Sequence, residues 1–303
     1  MSLTERELRA ELERALGRRV GDLTRRPSAY RTSHELADVD VRLNGTNALE
    51  LVLKEVGGEP PPPKPPFLHD PLRELDVYRS LLAGTDLGTA RLVAGGTAGD
   101  GSGSWLLLER VQGFELYQVG ELETWERVAA WLARAHETLA GSAGAPRLIR
   151  YDTGFYRLWL ARARERSGGL DAIAARYDDV VAELARLPVT VLHGELYPSN
   201  VLVCRERISP VDWEMAAAGP GLVDLAALTV GRWDDEARGR IARAYHGACA
   251  RPLPLPEFMS ALERCRLHVS LQWLGWADGW TPPQEHAHDW LGEARRAAER
   301  LGL

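Results

Sequence analysis

A chain of 303 residues with 45% apolar residues, 26% charged residues and ten tryptophans can bury a substantial core in one or two domains, which excludes intrinsic disorder and a collagen-like rod. Its 37 Lys and Arg against 43 Asp and Glu give a formal net charge of −6, an argument against a nonspecific nucleic-acid binder with its strongly basic surface. Three cysteines, Cys204, Cys249 and Cys265, lack a C-x-x-C spacing, so neither a disulfide framework nor a cysteine zinc site is indicated and a reducing compartment is expected.

From the N-terminus to Arg14 the chain reads as a charged helix with Ser2 and Glu5 as a capping pair, and it has no apolar stretch suited to secretion. No run approaches the roughly 18 apolar residues of a membrane span. The expectation is a cytoplasmic protein with neither nucleic acid nor membrane as partner. Leu36 to Leu43 and Leu49 to Val56 flank Asn44-Gly45-Thr46, a tight-turn signal, and predict a β-hairpin with Lys54 near the end of its second strand. Pro60 to Pro66 then holds six prolines around Lys64, an extended surface spacer or a docking site for a proline-reading module. Pro71 to Leu82 resumes a helical period with Glu74 near its start, and Arg91 to Ala94 and Trp105 to Arg110 read as strands around a glycine-rich tip.

After Gly113 the pattern turns helical over Glu121 to Leu139, Tyr151 to Arg166 and Leu170 to Leu187. A short strand, Val189 to Leu192, leads into His193-Gly194-Glu195-Leu196-Tyr197-Pro198-Ser199-Asn200. Two apolar runs follow, Val201 to Cys204 and Ile208 to Val211, ending on Asp212. From Leu222 onward the period is helical again, broken at Arg251 to Pro256. The division expected is an α+β lobe over 1–110, with an antiparallel sheet and one helix, and a mostly helical lobe over 111–303. Lys54, the loop from His193 to Asn200, and Asp212 stand at the ends of apolar runs, where a chain leaves its packed core. Asn200 and Asp212 offer the oxygen ligands that Mg²⁺ takes, and a lysine can hold phosphate oxygens.

His193-Gly194-Glu195-x-x-x-x-Asn200, Asp212-Trp213-Glu214, and Gly219 to Ala226 with its Asp224 resemble the H-G-D-x-x-x-x-N and D-x-x signatures of aminoglycoside phosphotransferases and choline kinases. The resemblance runs from about Leu36 to about Trp233 and keeps the family's order. It implies a bilobal protein-kinase-like fold, with a small antiparallel-sheet N-lobe and a larger helical C-lobe, and a phosphotransferase using ATP or another NTP with Mg. By the same resemblance Lys54 contacts the nucleotide phosphates and pairs with Glu74, while Asn200 and Asp212 hold the metal. His193 braces the catalytic loop, Asp224 supports it, and backbone groups of Glu109 and Val111 face the adenine. Glu195 stands where the family has an aspartate; the longer arm leaves open either a working kinase or a nucleotide-binding regulator. Tyr30 to Glu35 occupies the place of the glycine-rich phosphate loop without any glycine, leaving Thr32 and Ser33 hydroxyls to reach phosphate.

A zinc-deaminase reading of His193-x-Glu195 fails, because Pro198 and Cys204 do not supply the P-C-x-x-C ligands. No G-x-S-x-G elbow is present. For the acceptor, a small molecule bearing a hydroxyl such as a sugar, amino alcohol or aminoglycoside-like compound, the candidates are Asp234, Trp276, Asp278 and Glu285, with Trp273 and Trp280 beside them. Rings next to carboxylates suit sugar faces or cations, although 273, 276 and 280 also have the spacing of a packed helix face. A kinase acting on a peptide hydroxyl is a further alternative.

Overall fold

The computed structural model of the chain describes residues 3–28, 34–43, 48–60, 64–98, 101–231, 233–276 and 288–303, in two units. The first takes Met1–Phe114 together with Leu202–Glu214, the second Glu115–Val201 together with Met215–Leu303. The segment ending at Asp212 and Glu214 therefore belongs with the N-terminal sheet, whereas a single cut at residue 110 assigned it to the helical part.

In the first unit, α1 (Glu5–Leu16) is followed by β1 (Val20–Pro27), β2 (Glu35–Leu43) and β3 (Ala48–Val56). Then come α2 (Arg73–Asp76), which runs on as a π-helical turn over Val77–Leu81, β4 (Leu92–Thr97) and β5 (Ser104–Glu109). The five strands form one antiparallel sheet in the order β1-β2-β3-β5-β4. Val39 and Val41 of β2, Leu51 and Leu53 of β3, and Leu107 of β5 point to one face, where Leu8 and Leu12 of α1 complete a core. Side chains alternate along a strand, so Lys54, next to Leu53, projects to the other face. The expected hairpin is β2–β3, in register from Glu35 opposite Glu55 to Arg42 opposite Ala48; its turn at Asn44-Gly45-Thr46 lies outside the described residues.

The chain enters the second unit through β6 (Phe114–Glu115) and continues with α3 (Leu122–Leu139), β7 (Ile149–Arg150), α4 (Thr153–Arg166), α5 (Asp171–Leu184) and β8 (Val189–Leu192). It returns to the first with β9 (Val201–Cys204) and β10 (Arg207–Pro210). It then closes the second with β11 (Ala217–Pro220), α6 (Leu222–Leu228), α7 (Asp235–Ala248), α8 (Leu255–Leu274) and α9 (Trp290–Leu301). β6, β9 and β10 make a three-stranded sheet in the order β10-β9-β6, and β7, β11 and β8 another, in the order β7-β11-β8. Trp125, Tyr156, Trp159, Tyr177 and Leu262 are fully buried in the helical core. Among the described residues no helix is long and apolar enough to cross a membrane.

The N-terminal helix is capped by Thr4 and Glu7, not by Ser2 and Glu5: Glu7 N–H donates to Thr4 Oγ1 at 3.3 Å and Thr4 N–H donates to Glu7 Oε2 at 2.9 Å. Both pairs have capping-box spacing. The choice is tertiary, because Leu3 N–H donates to Glu55 Oε1 at 2.6 Å and Leu3 C=O accepts from Arg25 at 2.8 Å, which fixes the chain on the sheet before a helix can begin.

Candidate active site

In the first unit β3, α2 and the segment after β10 bring three ionisable side chains together. Lys54 Nζ lies 2.6 Å from Glu74 Oε2 and 2.6 Å from Asp212 Oδ1, and Lys54 and Glu74 are almost wholly buried. Glu74 also accepts the Trp213 N–H through its other oxygen at 3.1 Å, so one carboxylate holds both the lysine and the backbone beside Asp212. Asp212 itself has φ +66°, the left-handed region that few non-glycine residues enter and that Asp tolerates best. Burial by itself would discharge Lys54, but the Asp212 and Glu74 carboxylates outweigh it and raise its pKa well above the ordinary value. Burial and the Asp212 charge raise the Glu74 pKa against the pull of Lys54. Two carboxylates share one ammonium here, a setting that favours a further cation.

A second set adjoins this one. Glu214 accepts from Lys64 Nζ at 2.7 Å through Oε1 and lies 2.5 Å from His34 Nε2 through Oε2, with all three side chains buried. Burial alone would raise the Glu214 pKa. The His34 hydrogen bond and the Lys54 and Lys64 charges prevail, and hold the carboxyl well below the usual range. Sequence reasoning missed this trio: Lys64 read as a break in a proline run, and His34 sat in a polar turn.

Of the remaining nucleotide-side residues, Ser33 lies outside the described residues. Glu109 ends β5, and its N–H donates to Arg91 O at 2.9 Å. Its carboxylate receives Arg207 Nη1 at 2.7 Å and Nη2 at 3.0 Å. Val111 follows β5 and is partly exposed.

In the second unit the loop after β8 is held from beneath. Asp224, buried in the first turn of α6, accepts His193 N–H at 2.7 Å on Oδ2 and Gly194 N–H at 3.0 Å on Oδ1. Gly194 has φ +84°, and a Cβ there would lie 2.1 Å from Met215 O, so only glycine fits. Glu195 N–H donates to His193 Nδ1 at 3.4 Å, and Glu195 C=O accepts Asn200 Nδ2 at 2.9 Å. This unit thus brings His193, Glu195 and Asn200 into one hydrogen-bonded loop. Behind Asp224 stands His136 of α3, with Nε2 at 3.2 Å from Asp224 Oδ2 and Nδ1 at 2.9 Å from Tyr245 Oη of α7. The signal for His136 was a polar residue on the buried face of a helix, which periodicity alone does not distinguish from a chance position.

Of the acceptor candidates, Asp234 and Trp276 lie within the described residues. Asp234 is the N-cap of α7, accepting Ala237 N–H at 2.9 Å. Trp276 is buried, stacked on Trp159 at 5.8 Å and 6°. That is core packing, as its helical spacing allowed. Asp278 and Glu285 lie outside the described residues. Trp273, by contrast, is partly exposed and donates from Nε1 to Tyr197 Oη at 2.5 Å, two residues along the loop from Glu195, while it stacks on Trp290 at 5.1 Å.

Among solved structures, the chain resembles a choline/ethanolamine kinase family protein of Mesorhizobium loti, with 19% identity and TM-score 0.56 over 98% of this chain and 93% of that one. It also resembles a macrolide 2'-phosphotransferase of Brachybacterium faecium, with 18% identity and TM-score 0.57 over 87% and 89%. A third is an aminoglycoside phosphotransferase of Streptomyces rimosus in complex with ADP and streptomycin, with 18% identity and TM-score 0.54 over 91% and 100%. At such identities the likeness is one of fold. No curated protein matches the chain. A family model described as the phosphotransferase enzyme family matches residues 33–262, a span that takes in Lys54, Glu74, the His193 to Asn200 loop and Asp212. The chain therefore belongs to the phosphotransferase enzyme family.

Proposed function

We propose that the chain transfers the γ-phosphoryl group of ATP, with Mg²⁺, to a hydroxyl of a small polar metabolite. The observation that carries this reading is the buried Lys54 bonded at 2.6 Å to both Glu74 and Asp212: an ammonium kept charged out of water, next to a carboxylate with oxygen to offer a metal. The residue types fit Mg²⁺, since the Asp212 carboxylate and the Asn200 amide would each offer it a hard oxygen ligand of the kind it takes beside phosphates and water. Among the described residues no cluster of three or more His, Cys, Asp or Glu could hold a metal. When bound, Mg²⁺ supplies positive charge to the phosphate oxygens.

Phosphoryl transfer runs through a loose transition state and asks mainly for positioning and charge neutralisation. Lys54 holds non-bridging phosphate oxygens, and Glu74 fixes the lysine. A Glu195 carboxylate oxygen orients the acceptor hydroxyl and takes its proton as the new P–O bond forms, while the bond from phosphorus to the departing ADP oxygen breaks. The loop hydrogen bonds of Asp224 and Asn200 fix the backbone from which Glu195 extends. The likeness to structures named for choline, macrolide and aminoglycoside kinases supports a small hydroxylated acceptor, as does the partly exposed Tyr197–Trp273–Trp290 aromatic group beside the loop.

The test is Mg²⁺-dependent ATP binding followed by turnover across a panel of sugars, amino alcohols and aminoglycosides. Glu195→Gln is expected to lower kcat about 100-fold or more with nucleotide affinity retained, the range typical of a lost general base. Asp212→Ala is expected to abolish Mg²⁺-dependent binding. Glu195→Asp, which draws the carboxylate back by roughly 1 Å, is expected to lose about 100-fold. Wild type that binds nucleotide without turnover, and gains turnover as Glu195→Asp, identifies a regulator instead.

A further inference from the structure

Three features converge on the residues that follow Asp212. Glu214 carries Lys64 on one oxygen and His34 on the other, at 2.7 Å and 2.5 Å. Its backbone carbonyl accepts Arg73 Nη1 at 2.7 Å, and the same Arg73 nitrogen donates to Leu68 O at 2.9 Å. Lys64 enters from the proline run: Pro65, with φ −58° and ψ 132°, leads directly into the 3-10 turn Pro66–Leu68, and prolines on both sides leave this lysine little backbone freedom. Arg73 precedes Glu74 on α2, and His34 directly precedes β2. The chain segments 64–68, 34 and 73–74 are thus clamped to one side chain and one carbonyl, two residues beyond Asp212.

Burying two opposite charges is seldom the most stabilising use of a core position; a well-packed apolar pair would serve stability at least as well. A buried Lys64–Glu214 pair with a third partner instead fixes where the backbone between residues 212 and 214 runs. That backbone is under demand, for Asp212 is in the left-handed region. A flexible polar turn there would let the carboxylate leave its 2.6 Å contact with Lys54.

We infer that Lys64, His34 and Glu214 form a latch that sets the position of the Asp212 carboxylate for Mg²⁺. In this role they are positioning residues, acting through Asp212. The inference rests on the reading of Asp212 as a metal ligand.

The measurement is the Mg²⁺ concentration that gives half-maximal binding of a fluorescent non-hydrolysable ATP analogue, with thermal unfolding followed in parallel. Lys64→Met and Glu214→Gln are expected to raise that concentration about tenfold, since removing a group that orients a metal ligand typically weakens metal affinity 10–100-fold. Lys64→Arg is expected to stay within about twofold of wild type, because it restores a cation to Glu214. Glu214→Gln leaves the buried Lys64 without its carboxylate and Lys64→Met leaves Glu214 with His34 alone, so the double variant Lys64→Met/Glu214→Gln separates folding from positioning: it is expected to recover thermal stability and keep the raised Mg²⁺ requirement. If the double variant folds and binds with the wild-type requirement, the trio is only structural and the inference falls. If wild type shows no Mg²⁺ dependence at all, the functional reading fails and the latch with it. A normal wild-type dependence matched by both single variants overturns the latch alone.

Discussion

His268 sits in the middle of α8 with no solvent exposure, the rings of Tyr156 at 4.7 Å and Tyr151 at 5.5 Å standing edge-on to it and Tyr177 Oη at 3.5 Å from Nδ1. Burial among aromatic rings pushes its pKa down to about 3. The unfolded chain binds a proton there below about pH 6.5 while the folded protein refuses it until about pH 3, so this residue removes stability as pH falls through that window. Each unit of the gap is worth about 1.4 kcal/mol. Between about pH 7 and about pH 4.5 His268 alone should therefore remove about 2–3 kcal/mol. His268→Leu changes the stability at neutral pH through its own packing, so the quantity to compare is the loss between the two pH values, taken from urea unfolding. The variant should lose about 2 kcal/mol less than wild type on acidification; equal losses in the two proteins would show that His268 is not the titrating group. At the site, Lys54, the loop from His193 to Asn200 and Asp212 stand out in the sequence because they sit at the ends of apolar runs, whereas Glu74 is singled out only by the family resemblance. What spacing could not give was their partners. Lys64 is one letter among prolines, and His34 and Glu214 are 180 residues apart, so their meeting is a property of the folded chain only.

Among the elements, those with a buried face declared themselves. β2 and β3 alternate and were readable to within a residue, and α3, α4 and α5 show the three-to-four-residue spacing of a helix packed on one side. β1 did not: five of its eight residues are exposed and only Val20 is buried, so an edge strand without alternation leaves no signal. The helix cap moved from Ser2 to Thr4 because Glu55 and Arg25 hold Leu3, a contact no local rule contains. The loop between β8 and β9 shows the reverse case, in which local geometry is demanding enough to be tested directly. Gly194 reverses the chain at φ +84° beneath the Met215 carbonyl, and Asp224 binds its N–H. Gly194→Ala combines strained backbone with a steric clash against main chain, and each strained position of this kind is worth about 1–3 kcal/mol. Urea unfolding should show a loss of at least about 2 kcal/mol, and the Glu195 carboxylate, displaced with its backbone, should give a lower kcat with the nucleotide KM less affected. A variant of wild-type stability would mean the loop relaxes around the added methyl group.

At the scale of the whole chain, the first unit is discontinuous: Met1–Phe114 needs Leu202–Glu214, and the second unit's Glu115–Val201 lies between them. The returning segment is not decoration on a finished sheet. Arg207 forms two hydrogen bonds to Glu109 at the end of β5 and others to Gly88 O and Thr89 O, while Asp212 and Glu214 supply carboxylates for Lys54, Lys64 and His34. Without residues 202–214, Lys64 loses the carboxylate that holds it, and a buried charge left unpaired typically removes about 3–5 kcal/mol. That is a large share of the roughly 5–15 kcal/mol by which a domain is stable. A fragment of residues 1–114 is therefore expected to unfold without a cooperative transition. The same fragment joined by a flexible Gly/Ser linker to residues 202–214 is expected to show a sigmoidal urea curve. Replacing Asp212 and Glu214 in the joined fragment by Asn and Gln should return it toward the behaviour of residues 1–114 alone, because the linker then restores chain without restoring charge. If residues 1–114 unfold cooperatively at the same urea midpoint as the joined fragment, the returning segment carries the active-site carboxylates without supporting the fold, and Lys54, Lys64 and His34 must then be stabilised from within the N-terminal chain.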